Sequence, residues 1–524
     1  MPGFSHRWLL AAVVAFSWGG VGAAEPQAIA QRQVDRAVSR LDGMAAELMR
    51  RSGIPGMAIA VVQGNRVLYV KGFGVRTAGS PQRMDADTVV QLASMSKSIG
   101  ATVVAQQVGA AKIGWDTPVR KHLPGFTLGN AYVSENITIG DLYAHRSGLP
   151  DHAGDGLEEL GYPQDHIMRG LQQLPLTPFR SSYAYTNYGM TAAAMAVAAA
   201  AGTDWASLSE QVLYRPLGMA STSSRFADYL SRPNRAPGHV KENGVFVVGP
   251  ERGARPGLQN WSTGFNTDRQ QPSGGVSSSA RDMARWMSFV LAGGVGPNGQ
   301  IVPAAALMPA LTPKSITRDA AATGQRPNHY GYGFFIDTSE AGRTVLHHSG
   351  AFSWGASTNF SLMPAANLGI VVVTNAWPTG VAEGLVAQFN ELVQFGAVKQ
   401  DWFGLYASAI ADAFKPQGEL AGKARPPQPA SARPLESYTG TWRNDYHGAL
   451  QVRRNTQGTL ELHIGATPQL VFALQHWDGD TFTFIPLNDS APPGSVSKAS
   501  FSSDKLTLEH YNQQGLGVFT RAPS

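Results

Sequence analysis

The apolar positions change their period along the chain, and those changes divide it. Over residues 27–52, Ile29, Val34, Val38, Leu41, Met44, Ala45 and Leu48 recur at helical spacing and predict an amphipathic helix. Residues 57–62 form an unbroken apolar run and 67–70 a second, with Gly64-Asn65 between them, which predicts a β-hairpin. The short apolar run 89–93 leads into a Pro-free segment, 98–108, that reads as a buried helix. Further helical patterns lie at 137–143, at the Ala-rich 190–201, at 281–291 and at 380–398. Strand patterns lie at 330–336, 360–362 and 368–374. Helices bracket the strand set at both ends and recur within it, so the expectation is a layered α/β (α+β) domain.

Periodicity fades between Arg225 and Gly274, where Gly, Pro, Asn, Arg and aromatic residues dominate; this reads as a long surface insertion. Residues 415–434 are rich in Pro, Ala, Gly and Lys and read as a linker. After it the period falls to two. Short β-type runs begin at Gly440, Leu450, Thr459, Leu470, Phe482, Lys505 and Val518, separated by turn residues, and predict a small antiparallel β-barrel over 435–524.

At 524 residues the chain can bury a large core in more than one domain. Its formal net charge of +5 is not concentrated in any cluster of Lys and Arg, so no nucleic-acid footprint is expected. The absence of Cys removes disulfides, a thiol nucleophile and thiolate metal sites. Residues 1–24 have the form of a secretory signal. His6 and Arg7 precede an apolar run, and small residues lead to a cleavage point after Ala23 or Ala24. No later stretch is long and apolar enough to cross a bilayer, so a periplasmic or secreted protein with no membrane span after cleavage is expected. The larger domain is then expected to occupy 25–414, followed by the linker.

Three segments carry candidate chemistry. In Ser94-Met95-Ser96-Lys97 the hydroxyl and the amine are three residues apart, hence neighbours on a helix face. A lysine kept neutral by burial or by a nearby cation can take the proton of a serine. In Tyr185-Thr186-Asn187 a phenol near a lysine cation ionises more easily and can shuttle that proton, and the Asn amide offers both a donor and an acceptor. In His348-Ser349-Gly350 the glycine lets a substrate approach closely, and strand alternation sends His347 to the opposite face from His348. That alternation, with no other His or carboxylate cluster at ligand spacing, argues against a metal, and no cofactor is expected. Gly72-Phe73-Gly74 continues a strand with no helix behind it, which argues against a phosphate loop. Ala351-Phe352-Ser353-Trp354-Gly355 lacks the first Gly of a nucleophile elbow.

Taken together, Ser-x-x-Lys, Tyr-x-Asn and His-x-Gly in this order resemble the serine β-lactamase and penicillin-binding-protein-like superfamily. The match is to its class C-related branch of esterases, D-aminopeptidases and D-stereospecific peptidases. His145-Arg146-Ser147-Gly148-Leu149-Pro150 and Gly274-Gly275-Val276-Ser277-Ser278 add to the resemblance, which covers roughly residues 35–395. The segment after the linker, with Tyr438-Thr439-Gly440-Thr441-Trp442 at its start, resembles the lipocalin-like module of some members. The resemblance implies an antiparallel sheet flanked by helices, plus an all-helical subdomain. It also implies an acyl-enzyme on Ser94, with Lys97 and Tyr185 handling the proton. The backbone N–H groups of Ser94 and Ala351 would form the oxyanion hole, and Asn187 and His348 would orient the substrate. Class C β-lactamases usually have Lys-Thr-Gly as the third motif; His348 lacks that permanent cation, which favours an ester or a D-amino-acid-containing peptide over penicillins. A class C-like β-lactamase and a catalytically silent cell-wall- or peptide-binding protein are the alternatives. Ser349, Phe352 and Trp354, with Trp261 and Phe265 of the insertion, are expected to line the substrate pocket. Substrate identity and oligomeric state are not legible.

Overall fold

A computed structural model describes residues 28–249, 267–320, 326–466, 469–486 and 491–523. The signal segment, Trp261 and Phe265 lie outside the described residues. The larger domain is built on an eight-stranded antiparallel sheet. In chain order its strands are β1 (Gly56–Gln63), β2 (Arg66–Gly74), β3 (Ser315–Arg318), β4 (Asn328–Tyr330), β5 (Phe335–Thr338), β6 (Thr344–Phe352), β7 (Ala356–Met363) and β8 (Leu368–Thr374). The spatial order is β2-β1-β8-β7-β6-β5-β4-β3.

The unbroken apolar runs of β1 and β8 occur because both faces of the sheet are covered. Alternate residues of β1 go to opposite cores. Met57, Ile59 and Val61 pack under α1 (Gln31–Ser39), α2 (Leu41–Ser52) and a C-terminal helix, Val381–Phe395. Ala58, Ala60 and Val62 face the helical subdomain, where α3 (Ser96–Gly109), α4 (Asn187–Ala201) and α5 (Ala280–Leu291) pack. The hairpin at Gly64-Asn65 forms as the sequence suggests, with β1 and β2 paired antiparallel.

Several expectations need correction. The helix expected over 27–52 is two helices meeting at Arg40. Ser94 is not in the first α-helical turn; it lies in a 3-10 turn, Ala93–Met95, that feeds α3. The strand expected over 330–336 is a hairpin, β4 to β5, because α3 crosses the chain there. A Cβ on Gly333 (φ +78°) would stand 2.5 Å from the Lys97 carbonyl, and the Ser98 hydroxyl donates to the Gly333 carbonyl. The described part of the 225–274 insertion holds a short helix, Phe226–Ser231, and a hairpin, His239–Glu242 with Val245–Val248.

The C-terminal barrel is closed by eight strands from Gly440–Asn444 to Val518–Arg521. One of them, Ser497–Phe501, was not expected, because only Ala499 and Phe501 mark its inward face as apolar. Trp442, Leu450, Leu462, Phe482 and Leu506 fill the interior, as eight strands allow. The two domains exchange side chains: Leu160 packs in the barrel's core and Tyr446 in the hydrolase core. Backbone and side-chain hydrogen bonds seal this contact, Ala466 N–H to the Leu160 carbonyl at 2.8 Å and Tyr162 Oη to the His447 carbonyl at 2.8 Å.

Candidate active site

The turn carrying Ser94 is held under strain. Ala93 has φ +49°, a left-handed conformation unusual for a residue with a Cβ. Its neighbours fix it there. The Leu92 N–H donates to the Val276 carbonyl, Thr358 Oγ1 donates to the Leu92 carbonyl, and Val276 N–H donates to Ser96 Oγ. Strand β5 stops pairing with β6 at His347, so β6 runs on past Ser94 without a strand on that edge. A Cβ on Gly350 would lie 2.1 Å from the Leu92 carbonyl oxygen and 3.0 Å from the Ser94 nitrogen. Only glycine allows that approach.

Lys97 is fully buried, and its Nζ has three oxygens around it: Ser94 Oγ at 3.1 Å, Asn187 Oδ1 at 2.7 Å and the Ser273 carbonyl at 2.8 Å. Burial pulls its pKa down to about 7, against the partial opposition of the Asp155 carboxylate. A neutral amine has two N–H bonds and one lone pair. Asn187 and Ser273 offer only acceptors and use the two N–H bonds, so the lone pair is left for the Ser94 hydroxyl.

Nζ also sits 4.5 Å from the centre of the Tyr185 ring, and the Ser94 hydroxyl acts on the Tyr185 phenol in the direction that favours its ionised form. The expected lowering of the Tyr185 pKa by Lys97 is not found. Burial pushes the phenol up, and only Ser94 works in the other direction. The cause is that Lys97, its pKa lowered by burial to about 7, has already lost its proton at the pH where the phenol would ionise. Tyr185 is held by its backbone. Its N–H donates to Asp151 and its carbonyl accepts from the His152 N–H at 2.8 Å, while Ala184 and Thr186 N–H donate to the carbonyl and to Nδ1 of His145.

His348 faces the Ser94 side of β6, its ring 6.3 Å from that of Tyr185. Its Nδ1–H donates to the Ser349 carbonyl at 2.6 Å, so its Nε2 accepts from the Tyr330 hydroxyl at 2.9 Å. Burial, with Lys97 nearby, lowers its pKa to about 3, and the ring is neutral. His347 points the other way, to Asp337 at 2.9 Å.

Three pocket expectations are corrected. Ser349 alternates away from His348 and Gly350; its hydroxyl accepts from Asn359 Nδ2 and acts on Glu383 of the C-terminal helix, on the opposite face of the sheet. Phe352 and Trp354 are only 6% and 7% exposed, stacked at 4.1 Å and packed with Ala93 and Ala356. They support the strained turn rather than offering an open wall. Ala351 lies exposed next to Gly350 on the open edge of β6.

Sequence reasoning missed the Ser273 carbonyl, Tyr330 and the Asp155–His152 pair. A carbonyl has no sequence signature, and an acidic residue in a loop looks like any other. Asn187 Nδ2 donates to Asp155 Oδ2 at 2.9 Å, and His152 Nδ1–H donates to the same oxygen at 2.9 Å. Among the described residues, no group of three or more His, Asp or Glu residues is placed to hold a metal.

Residues 41–394 match the family model described as Beta-lactamase, and residues 424–505 match one described as a domain of unknown function, DUF3471. The "Unguisins hydrolase ungD" of Aspergillus violaceofuscus is 25% identical over 513 residues, covering 86% of this chain and 85% of the relative. The "D-alanyl-D-alanine-carboxypeptidase/endopeptidase AmpH" of Escherichia coli K12 is 25% identical over 362 residues, covering 67% of this chain and 88% of the relative. The octameric penicillin-binding protein homologue of Pyrococcus abyssi has the same fold. Its TM-score is 0.57 at 18% identity, covering 90% of this chain and 98% of that one. With the first of these models matched over well more than half its length, the chain belongs to the beta-lactamase family of serine hydrolases.

Proposed function

We propose that the protein hydrolyses an ester or a D-amino-acid-containing peptide through an acyl-enzyme on Ser94. The observation that carries this reading is the 3.1 Å contact between Ser94 Oγ and a Lys97 whose pKa is lowered to about 7. Neutral Lys97 takes the Ser94 proton as Oγ bonds to the substrate carbonyl carbon. The charge that develops on the carbonyl oxygen is met by the N–H groups of Ser94 and Ala351. The proton passes from Lys97 by way of the Tyr185 hydroxyl to the departing alcohol or amine as its bond to the acyl carbon breaks. Water then attacks the ester on Ser94, giving up a proton along the same route, and the carboxylic acid leaves with Ser94 restored.

The neutral state of His348 supports a substrate that needs no fixed cation at this strand, which argues against an efficient penicillinase. The names of the relatives support a peptide substrate: one is a D-alanyl-D-alanine-carboxypeptidase/endopeptidase. The Ser94–Lys97 contact argues against a catalytically silent protein. Residues 1–24 support a place outside the cytoplasm, tested by N-terminal sequencing of the mature protein for a start at Ala24 or Glu25.

The test treats wild type and Ser94→Ala with a fluorophosphonate and with a penicillin and weighs the adducts. Labelling of wild type by the fluorophosphonate alone supports an esterase or peptidase. Turnover of penicillin by wild type would turn the reading into a β-lactamase. Equal labelling of both proteins would remove Ser94 as the nucleophile.

A further inference from the structure

Asn187 touches Lys97 with one end of its amide and Asp155 with the other. The two ends are not equivalent: Oδ1 only accepts and Nδ2 only donates. A carboxylate also only accepts, so Asp155 can be satisfied only by the Nδ2 end. That leaves Oδ1 for Lys97. Were the amide turned over, Nδ2 would face Nζ, and the Lys97 lone pair would be drawn to it and away from Ser94. His152 Nδ1–H donates to the same Asp155 oxygen, from a side chain 63% exposed. The other oxygen, Oδ1, is buried with no hydrogen-bond partner among the described residues.

We propose that Asp155 is a positioning residue: its carboxylate holds the Asn187 amide in the one orientation that leaves the Lys97 lone pair for the Ser94 proton. This rests on the reading of Ser94 and Lys97 as nucleophile and base. Asp155 has a second effect through its charge, which stabilises the ammonium form of Lys97 against burial. Other titratable groups face this cluster. Tyr185, His145 and His348 lie on the Lys97 side, and burial keeps the phenol un-ionised and both imidazoles neutral. On the Asp155 side lie Tyr188 and Tyr446, both pushed up by burial, with Asp151 beside His152 and Arg269 beside Glu158. Two of the neighbours are shifted upward. The Asp155 hydrogen bond raises His152, and burial lifts Glu158 to about 8. Their Gln variants remove each titration in turn.

The experiment follows the rate of fluorophosphonate adduct formation on the full chain between pH 5.5 and 9. It compares wild type, Asp155→Ala, Asp155→Asn and Ser94→Ala, and repeats the Asp155 variants in His152→Gln and Glu158→Gln backgrounds. In wild type the rate climbs through an apparent pKa near 7, that of Lys97. In Asp155→Ala the plateau falls about tenfold and the climb moves roughly half a unit or more to lower pH. Asp155→Asn keeps an oxygen for Asn187 Nδ2 but no charge. Its plateau recovers to within about threefold of wild type, while the climb stays shifted. Because Asn is the same size, this variant also answers for any folding defect in the Ala variant. A wild-type plateau and climb in Asp155→Ala would overturn the proposal. So would an Asp155→Asn protein as slow as the Ala variant with the climb unmoved, since that is the signature of a structural role only. Labelling of Ser94→Ala at the wild-type rate would instead sink the reading of the site itself.

Discussion

Tyr330 and His348 hold each other across neighbouring strands, with the Tyr330 hydroxyl 2.9 Å from Nε2 of a ring that is 2% exposed. The ring is neutral in the folded protein down to about pH 3, whereas an unfolded histidine gains its proton near pH 6.5. Between those values the unfolded chain binds one proton more. Stability is therefore fully present above about pH 6.5 and declines as pH falls from there toward 3. His145, His447 and His510 are buried and lowered in the same direction and add to the decline. The urea midpoint should fall between pH 7 and pH 5, and by less in His348→Gln; an equal fall in both would show that His348 does not carry its share.

In the proposed mechanism the amine of Lys97 must be neutral to take the Ser94 proton. Its pKa is lowered to about 7, so activity should rise with pH through that value and be lost as the amine gains a proton below it. Lys97→Arg fits a cation in the same place but never gives up its proton. It should lose about 10³-fold or more in kcat/KM on a p-nitrophenyl ester, with the fold intact by circular dichroism. Retention of a tenth of the rate would show that a permanent cation suffices there.

Gly350→Ala places a methyl 2.1 Å from the Leu92 carbonyl oxygen and 3.0 Å from the Ser94 nitrogen, both backbone atoms that cannot step aside cheaply. The strand must move away from Ser94. The expected result is a fall in kcat of about a hundredfold with a smaller change in KM. Proportionate losses in Tm and kcat would point to general unfolding instead.

Trp354 stacks on Phe352 beneath Ala93. Trp354→Ala should cost about 3–5 kcal/mol in chemical denaturation, the usual figure for emptying a buried aromatic site. Because the ring is buried, the ratios of kcat/KM across an acyl-chain series should stay as in wild type. A change in those ratios would return Trp354 to the pocket.

The exchange of Leu160 and Tyr446 makes the two domains one cooperative body in this region. Leu160→Ala and Tyr446→Ala should each cost about 2–5 kcal/mol. Each should also separate the barrel's thermal transition from that of the hydrolase domain by calorimetry. A single unchanged transition in both variants would mean that the contact contributes little.

The order of motifs and the layered class were legible because both rest on local rules. Helical and two-residue periods report which faces are buried, and the three-residue spacing of Ser94 and Lys97 makes them neighbours across the 3-10 turn and the start of α3. The barrel announced itself by repeated short runs, and it hid only the strand whose inward face carries a serine, an alanine and a phenylalanine. The break at Gly331–Phe334 was illegible because its cause, the passage of α3, lies more than two hundred residues away in the chain.

What the linear order of residues determined was the kind of chemistry available and the segments that bear it. A hydroxyl, an amine, a phenol and an amide stand in runs whose local periodicity could be read without any partner. Folding alone decided their electrical character. Lys97 is driven toward its neutral form because a helix, a distant carbonyl and Asn187 close around it. The same burial keeps Tyr185 and His348 uncharged and makes the unremarked Asp155 the charge nearest the site that counts. Burial and the direction of a hydrogen bond are properties of neighbours in space, and a sequence shows only neighbours along the chain.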